Sequence, residues 1–192
     1  MIADKDRSYY IGASDTDKVV GNWKTKTWLQ WWMQKLGVNR DHFENKFTKA
    51  GTNYEHRILQ ALNVPGMRLD EQIILEHLRL RVNLDGSTDN CIYECKTYQL
   101  EKGFKVPKKY WQQVQVQMYA KGIQRAQIVA YGLEPADYDN YLRPIDQERI
   151  QRYDIVYEPI WINTEYLPRL RILAECLKKG IMPQEGMCGG SN

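Results

Sequence analysis

The sequence predicts an α+β domain in which helices flank a central mixed β-sheet. Residues 78–85 alternate strictly between apolar and polar side chains, which is typical of a strand with one buried face. In residues 40–62, by contrast, apolar side chains recur every three or four positions, which is typical of an amphipathic helix. The elements follow the order α-α-α-β-β-β-α-β-β-α without a repeat or linker. We therefore expect one domain over residues 1–183 and a disordered tail over residues 184–192.

Three helices are predicted in the first third of the chain. Ser14 and Asp15 can cap a short helix, and a second helix runs from Thr25 to a stop at Gly37. Tryptophans at helical spacing in that second helix predict a buried stripe, formed by Trp28, Trp31 and Trp32. The third helix spans residues 40–62, and its predicted buried face consists of Phe43, Phe47, Ala50, Tyr54, Ile58 and Ala61.

The later elements are bounded by turn-forming residues and by proline. Pro107 suits the first turn of a helix that ends near Gly122, and Asn163 can cap a last helix that ends at Gly180. We expect strands over residues 71–77, 77–85, 91–97, 126–131 and 153–162. Gln115 lies in an apolar row of the helix after Pro107, and a buried amide there needs hydrogen-bond partners.

Composition restricts the class of protein without identifying it. The formal net charge is +3, from 27 basic and 24 acidic residues, so a nucleic-acid partner would require positive charge to be concentrated locally. Such places are Lys102, Lys105, Lys108 and Lys109, and also Arg79 and Arg81, although a solvated loop explains the lysines equally well. Charge therefore permits DNA binding but does not demand it.

Other features argue against a membrane protein and against a zinc or disulfide framework. No run of about 18 apolar residues is present, and the first residues form no apolar signal segment, so we expect a cytoplasmic protein with no membrane partner. The four cysteines form no C-x-x-C pair, which favours free thiols. The three histidines show no metal-ligand spacing.

The most informative motif lies between residues 85 and 96. Asp85 ends one predicted strand, and Glu94 and Lys96 lie two apart on the next, so that their side chains share one face. Two carboxylates and an amine that meet across a hairpin suit a divalent cation and an activated water. A hairpin with a solvated ion pair would explain these three residues alone.

Further motifs occur in a fixed order around this one, and together they give the chain a family resemblance. They are Ile11-Gly-Ala-Ser14 with Arg7 before it, Gly51-Thr-Asn-Tyr-Glu55, Asp85-x8-Glu94-x-Lys96, and Tyr110-Trp-Gln-Gln-Val-Gln115-Val-Gln-Met118. The chain resembles the PD-(D/E)xK nuclease superfamily and, within it, the YqaJ and lambda-exonuclease recombination nucleases of phages. The resemblance implies a restriction-endonuclease-like core. The chain departs from the family pattern at Leu84, the position before Asp85, where a proline is usual.

The resemblance also implies roles for individual residues. Glu55, Asp85, Glu94 and the Cys95 backbone carbonyl would ligate Mg²⁺ or Mn²⁺, and Lys96 would orient or deprotonate the attacking water. Gln115, with Gln113, would hold that water or the lysine, or touch the DNA backbone. Arg7 and Ser14 would receive the 5′-phosphate of the digested strand. Arg7 as a frayed surface residue and Gln115 as a core amide bonded to backbone remain alternatives.

Three functions are compatible with these motifs. The first is a metal-dependent exonuclease that digests linear double-stranded DNA, 5′→3′, in phage-type recombination or repair. The second is an endonuclease or nickase with the same metal site, and the third is a non-catalytic DNA-binding or inhibitor protein. The intact acid–acid–lysine set disfavours the third, and Arg7 with Ser14 favours the first over the second. The resemblance allows a ring-shaped homotrimer around DNA and a single-strand annealing partner, neither of which the residues themselves indicate.

Overall fold

The structure, a computed structural model, describes residues 9–38 and 46–184, and for residues 46–48 only the backbone. The helices are α1 (Thr16–Val19), α2 (Lys26–Lys35), α3 (Lys46–Ala61), α4 (Lys108–Lys121), α5 (Pro159–Trp161) and α6 (Leu167–Lys179). The strands are β1 (Ile11–Gly12), β2 (Arg68–Leu75), β3 (Leu80–Ser87), β4 (Ile92–Gln99), β5 (Arg125–Leu133) and β6 (Ile150–Val156). No helix in the described ranges is long and apolar enough to cross a membrane.

The six strands form one sheet, which contains parallel and antiparallel pairs, as predicted. The order is β1-β3-β4-β5-β6, and β2 pairs with β3. The β1–β3 and β4–β5 pairs are parallel, whereas the β2–β3, β3–β4 and β5–β6 pairs are antiparallel. The helix α4 forms the crossover between the parallel strands β4 and β5, and it covers one face of the sheet.

Hydrophobic clusters cover both faces of the sheet. Alternate residues of β4 and β5 point to opposite clusters: Ile92 and Ile128 to the one that contains α4 and α6, and Tyr93 and Val129 to the one that contains α3. The predicted tryptophan stripe of α2 is buried in the first cluster, where Trp28 stacks on Trp32 at 5.5 Å between ring centres. The sheet is thus covered by helices on both sides.

Most helix ends agree with the sequence prediction. The Thr25 hydroxyl accepts a hydrogen bond from the Trp28 amide and caps α2, and Gly37 follows that helix with φ at 74°. Gly122 likewise ends α4 with φ at 74°. The short helix at Ser14 and Asp15 begins as a 3₁₀ turn over Ala13–Asp15. There the Asp15 carboxylate accepts from the Gly12 amide.

For four of the strands the structure corrects the predicted boundaries. The strand predicted over residues 71–77 is Arg68–Leu75, and the next begins at Leu80, because a 3₁₀ turn over Glu76–Leu78 and a left-handed Arg79 separate them. The strand predicted over residues 91–97 is Ile92–Gln99. The one predicted over residues 153–162 is Ile150–Val156, because Pro159 cannot donate to a strand ladder and instead starts α5.

Asn163 does not cap the last helix. Residues Ile162–Tyr166 form a π-helical segment between α5 and α6, and the Asn163 amide donates to the Pro159 carbonyl within it. Pro168, which lacks an amide hydrogen, follows directly and accounts for the interrupted α-helical ladder. Arg7, Phe43, the beginning of the predicted third helix at 40–45 and the tail 185–192 lie outside the described residues.

Candidate active site

The candidate site lies where β3 and β4 separate. Their backbone pairing is confined to Gly86 with Tyr93 and Ser87 with Ile92. One residue before Gly86, the Asp85 side chain replaces the backbone partner, because its Oδ2 accepts a hydrogen bond of 2.8 Å from the Cys95 amide. The divergence therefore leaves room for side chains between two strands that are paired at their turn.

Glu94 is the centre of the site and is almost completely buried, with 1% of its surface exposed. The Lys96 ammonium and the Gln113 amide each donate to Glu94 Oε1 at 2.5 Å, and the Gln117 amide donates to Oε2 at 2.5 Å. Gln117 also donates to the Asn83 carbonyl at 3.3 Å, which connects α4 to β3. Both carboxylate oxygens of Glu94 are thus fixed by neighbouring donors.

A cleft of about 410 Å³ opens beside this network. Glu55 reaches it from α3, Cys95 and Lys96 from β4, and Tyr110 from the first turn of α4. The Lys96 ammonium lies 4.9 Å from the centre of the Tyr110 ring, within the range of a cation–π contact. Lys96 is therefore held between a carboxylate and an aromatic ring at the wall of the cleft.

The electrostatics of the site are those of crowded carboxylates. Burial and the neighbouring Glu94 charge raise the pKa of Glu55, and the same two causes raise the pKa of Asp85 well above its ordinary value. For Lys96, burial favours the neutral amine, but the attraction of Glu94 and Asp85 outweighs it and raises the pKa. The ammonium form of Lys96 is therefore favoured, and this single positive charge does not offset the repulsion that raises the pKa of Glu55 and Asp85.

This donor set fits a hard divalent cation. Glu55, Asp85 and Glu94 contribute three carboxylates against the single Lys96 ammonium, and oxygen donors are the ligands that Mg²⁺ and Mn²⁺ prefer. Beside Glu94, the Gln117 Oε1 atom is buried without a hydrogen-bond partner in the described part of the chain. An excess of negative charge and an orphaned acceptor both suit a site completed by a cation.

The structure does not bring the carboxylate oxygens of Glu55, Asp85 and Glu94 all within 4.8 Å of one another. Among the described residues, the acidic and histidine side chains whose ligand atoms all lie within 4.8 Å of one another are Glu55, His56 and Asp70. In that group His56 Nε2 lies 3.1 Å from Asp70 Oδ1, at hydrogen-bond distance. Glu55 therefore belongs to two candidate groups, the predicted one and one on the side of β2.

The structure moves Gln115 away from the site. Its amide is fully buried, donates to the Val156 carbonyl at 2.8 Å and accepts from the Glu158 amide at 2.7 Å. It is the core amide that the sequence left as an alternative, and it ties α4 to the end of β6. Gln117, which the sequence motifs did not single out, lies at the site instead and donates to Glu94. The i, i+4 spacing of Gln113 and Gln117 was the signal that could have identified the pair.

Two other predicted positions lie on the N-terminal segment. Ser14 is exposed in the 3₁₀ turn that follows β1, and the neighbouring Gly12 pairs with Arg81 of β3. This places Ser14 near the part of β3 that contains Arg81, and Arg81 precedes Asp85 by four positions. Arg7 is outside the described residues. Tyr54 of the Gly51–Glu55 motif is fully buried, and its hydroxyl donates to the Asn140 carbonyl at 3.1 Å. Tyr54 therefore anchors α3, whereas Glu55 is the residue of this motif whose carboxylate reaches the cleft.

Solved structures of two exonucleases have a similar fold. An alkaline exonuclease from Laribacter hongkongensis, LHK-Exo, superposes with a TM-score of 0.66 at 19% identity over 90% of both chains. Its complex with dAMP gives 0.66 at 20% identity over the same shares. A phage-related exonuclease from Haemophilus somnus 129PT gives 0.60 at 14% identity, over 89% of this chain and 92% of that one.

The sequence comparison is more specific than the structural one. No curated protein matches the chain. Residues 4–124, which include β1, the α3 motif, β3, β4 and all of α4, match the YqaJ-like viral recombinase domain. This stretch covers more than half of the chain and contains every predicted site residue. The predicted resemblance is confirmed, and the chain belongs to the YqaJ-like viral recombinase domain family.

Proposed function

We propose that this protein is a metal-dependent exonuclease that hydrolyses phosphodiester bonds at the ends of linear double-stranded DNA, in the 5′→3′ direction. The observation that supports it most is the fixed Glu94 carboxylate between Lys96, Gln113 and Gln117, next to Asp85. Family membership and the exonuclease folds described above agree with this function.

Glu55, Asp85, Glu94 and the Cys95 carbonyl would hold Mg²⁺ or Mn²⁺. When bound, such a cation lowers the pKa of its water and neutralises charge that develops on the phosphate. Asp85 is positioned for this role by the Cys95 amide, and Glu94 by its three donors. Hydrogen-bond donors of this kind fix the orientation of a carboxylate before a cation binds to it.

Lys96 and the two glutamines serve the reacting atoms in different ways. Lys96 would orient or deprotonate the attacking water and balance charge at the scissile phosphate, and the attraction of Glu94 and Asp85, which raises its pKa, favours the orienting role. Gln113 and Gln117 position Glu94 through their amides. Tyr110 restricts Lys96 to the cleft wall through its ring.

Digestion from an end requires that the end be recognised. We assign the 5′-phosphate to Arg7 and Ser14, the exposed hydroxyl near β3. The LHK-Exo complex contains dAMP. A nucleoside 5′-monophosphate is the product that sequential removal of nucleotides from a 5′ end would release.

Two matched DNA substrates test the proposal. Purified protein with Mg²⁺ should release mononucleotides from a linear plasmid and leave the same plasmid intact as a covalently closed circle. Linear DNA with 5′-phosphate ends should be digested faster than DNA with 5′-hydroxyl ends. Cutting of the closed circle would indicate an endonuclease instead, and release from 3′ labels before 5′ labels would refute the direction.

A further inference from the structure

Residues 100–110, which comprise the connection after β4 and the first turn of α4, carry a concentration of charge that the proposed chemistry does not use. They include one acid, Glu101, and four lysines, Lys102, Lys105, Lys108 and Lys109, which we call the basic rim. This segment alone therefore has a formal charge of +3, which equals that of the whole chain. All four lysine side chains are exposed.

Phe104 holds this segment in a defined position. Its ring lies 5.2 Å from the Tyr98 ring and 5.5 Å from the Tyr153 ring, and it stacks on Tyr110 at 6.4 Å with an angle of 10°. The Tyr153 hydroxyl donates to the Phe104 carbonyl at 3.2 Å. The lysines on both sides of Phe104 thus project from an anchored backbone, so less conformational entropy is lost when they bind a ligand.

Tyr110 connects the basic rim to the candidate active site. The Lys109 ammonium lies 5.0 Å from the centre of the Tyr110 ring, and the Lys96 ammonium lies 4.9 Å from the same centre. The two ammonium groups are therefore at most about 10 Å apart. Because a DNA strand rises about 3.4 Å per nucleotide, the rim starts within about three nucleotides of Lys96.

Helix stability does not explain the position of Lys108 and Lys109. Lys108 and Lys109 occupy the first turn of α4, which contains no acidic residue, and the N-cap Pro107 offers no side-chain hydrogen bond. Positive charge at a helix N-terminus opposes the helix dipole. Within residues 9–38 and 46–184, none of the four lysines forms an ion pair. Their arrangement suits an external anion.

We propose that the basic rim binds consecutive phosphates of the DNA strand that enters the cleft at Lys96. This inference rests on the proposed function, since it concerns the substrate of the same site. A strand of phosphates matches four exposed ammonium groups that begin beside the cleft wall and form no ion pair with the described residues. Such contacts carry no sequence preference, which suits an enzyme that digests any duplex.

The test compares two variants that lose the same charge. In the rim variant, Lys102, Lys105, Lys108 and Lys109 are all changed to Ala. In the control variant, four exposed lysines outside the cleft lining are changed to Ala: Lys24, Lys26, Lys178 and Lys179. Binding of a short fluorescein-labelled duplex is measured by anisotropy with EDTA, between about 50 and 200 mM salt.

The rim variant should bind at least about tenfold more weakly near 0.1 M salt, and its slope of log affinity against log salt should fall by about three to four, at about 0.9 for each lost phosphate contact. The control variant should change the slope by less than about one. A variant with arginine at the four rim positions should bind like the parent. Circular dichroism confirms that all variants are folded.

Three results would overturn the inference: a rim variant with the parental slope, a control variant with an equal loss, or a parent that does not bind DNA. If the rim variant kept the parental slope, DNA would be excluded as the partner of the rim, and an acidic protein surface would be the alternative. Because binding is measured without divalent cation, the outcome is independent of hydrolysis. A parent that binds through the rim but digests nothing would refute the proposed function alone, and a parent that digests DNA with an indifferent rim would refute this inference alone.

Discussion

The Lys96 ammonium donates a 2.5 Å hydrogen bond to Glu94 from the same face of the same strand. The two residues are separated by one position of β4, so the pleat of the strand alone sets their side chains beside each other. The side chain of Glu94 is 2% exposed and that of Lys96 is 20% exposed, so the acid lies inside the fold and the amine at the cleft.

The first prediction separates the chemical role of this pair from its structural one. Lys96→Ala should lower Mg²⁺-dependent digestion of linear duplex at least about 100-fold, because the charge next to the scissile phosphate is lost. Lys121→Ala is the matched control, since Lys121 of α4 also pairs with a glutamate, Glu71, at a partly buried position. It should keep activity within about threefold of the parent, a margin small beside the 100-fold effect. Nucleotide release is measured on protein shown to be folded, and undiminished digestion by Lys96→Ala would remove the proposed chemistry.

The second prediction uses three glutamines of one helix. Gln113→Ala and Gln117→Ala should each reduce digestion by about tenfold or more, because Glu94 loses a donor that fixes it. Gln115→Ala should instead cost about 1–3 kcal/mol of unfolding free energy, because the Val156 carbonyl and Glu158 amide are left unpaired.

Specific activity and urea unfolding, measured on all three glutamine variants, decide this point. Gln115→Ala should keep its activity per folded molecule. If it were instead the most damaging of the three for catalysis at unchanged stability, the assignment of faces on α4 would be wrong.

The third prediction concerns Asp85. Burial and the Glu94 charge raise its pKa in the folded state, so its stabilising contribution is complete below the unfolded pKa and is lost as pH rises through the folded one. Near neutral pH, the metal-free Asp85→Asn protein should therefore be more stable than the parent, by about 0.5–2 kcal/mol. This corresponds to about 2–4 °C per kcal/mol.

Divalent cation should reverse that order. A ligand at 100 times its Kd stabilises a folded protein by about 2.7 kcal/mol, and Asp85→Asn should gain much less of this than the parent. Thermal unfolding with EDTA and with Mg²⁺ measures both effects. A variant that is less stable than the parent without metal and equally stabilised by Mg²⁺ would exclude Asp85 as a ligand.

The fourth prediction lies outside the site, in the loop after β5. The Asp137 side chain is fully buried and accepts from Arg143 at 2.8 Å, from Arg149 at 2.7 Å and from the Glu134 amide at 2.8 Å. Burial alone would raise its pKa, but the Glu134 amide and Arg149 outweigh it and lower the pKa. This network fixes the loop that Tyr54 also contacts.

A lowered pKa means that the stabilisation is present above the unfolded pKa of about 3.9 and is lost as pH falls through the folded value. Asp137→Asn should cost about 3–5 kcal/mol near pH 7, because two arginines lose a buried partner. The difference between parent and variant should begin to shrink below about pH 4, because the unfolded parent binds a proton there that the folded state takes up only at lower pH. Urea unfolding from pH 3 to 7 checks this, and parallel curves throughout would contradict it.

The parts of the fold that the sequence predicted are those that local chemistry decides. Pro107 and Gly122 bound α4 because proline suits the start of a helix and glycine suits the left-handed position that ends it. Asp85, Glu94 and Lys96 meet because a turn and a pleat place them together. Arg79 shows the limit, since a left-handed arginine between two β-segments has no residue signature.

The apolar pattern of α4 did not decide which of its glutamines faces Glu94, and only the i, i+4 spacing of Gln113 and Gln117 favoured theirs. Gln115 and Gln117 are separated by about 200° around the helix, and apolar residues flank both, so either could face Glu94. Tertiary packing decides between them: β6 ends next to Gln115 and offers backbone partners there, whereas β3 and β4 lie next to Gln117. The π-helical segment before Pro168 likewise depends on packing.

Anomalous diffraction from crystals soaked in Mn²⁺ tests the central proposition most directly. We expect a peak about 2.0–2.2 Å from oxygens of Asp85, Glu94 and the Cys95 carbonyl, with Glu55 turned toward it and Lys96 beside it. A peak held instead by Glu55, His56 and Asp70, or no peak at the carboxylates of β3 and β4, would contradict it.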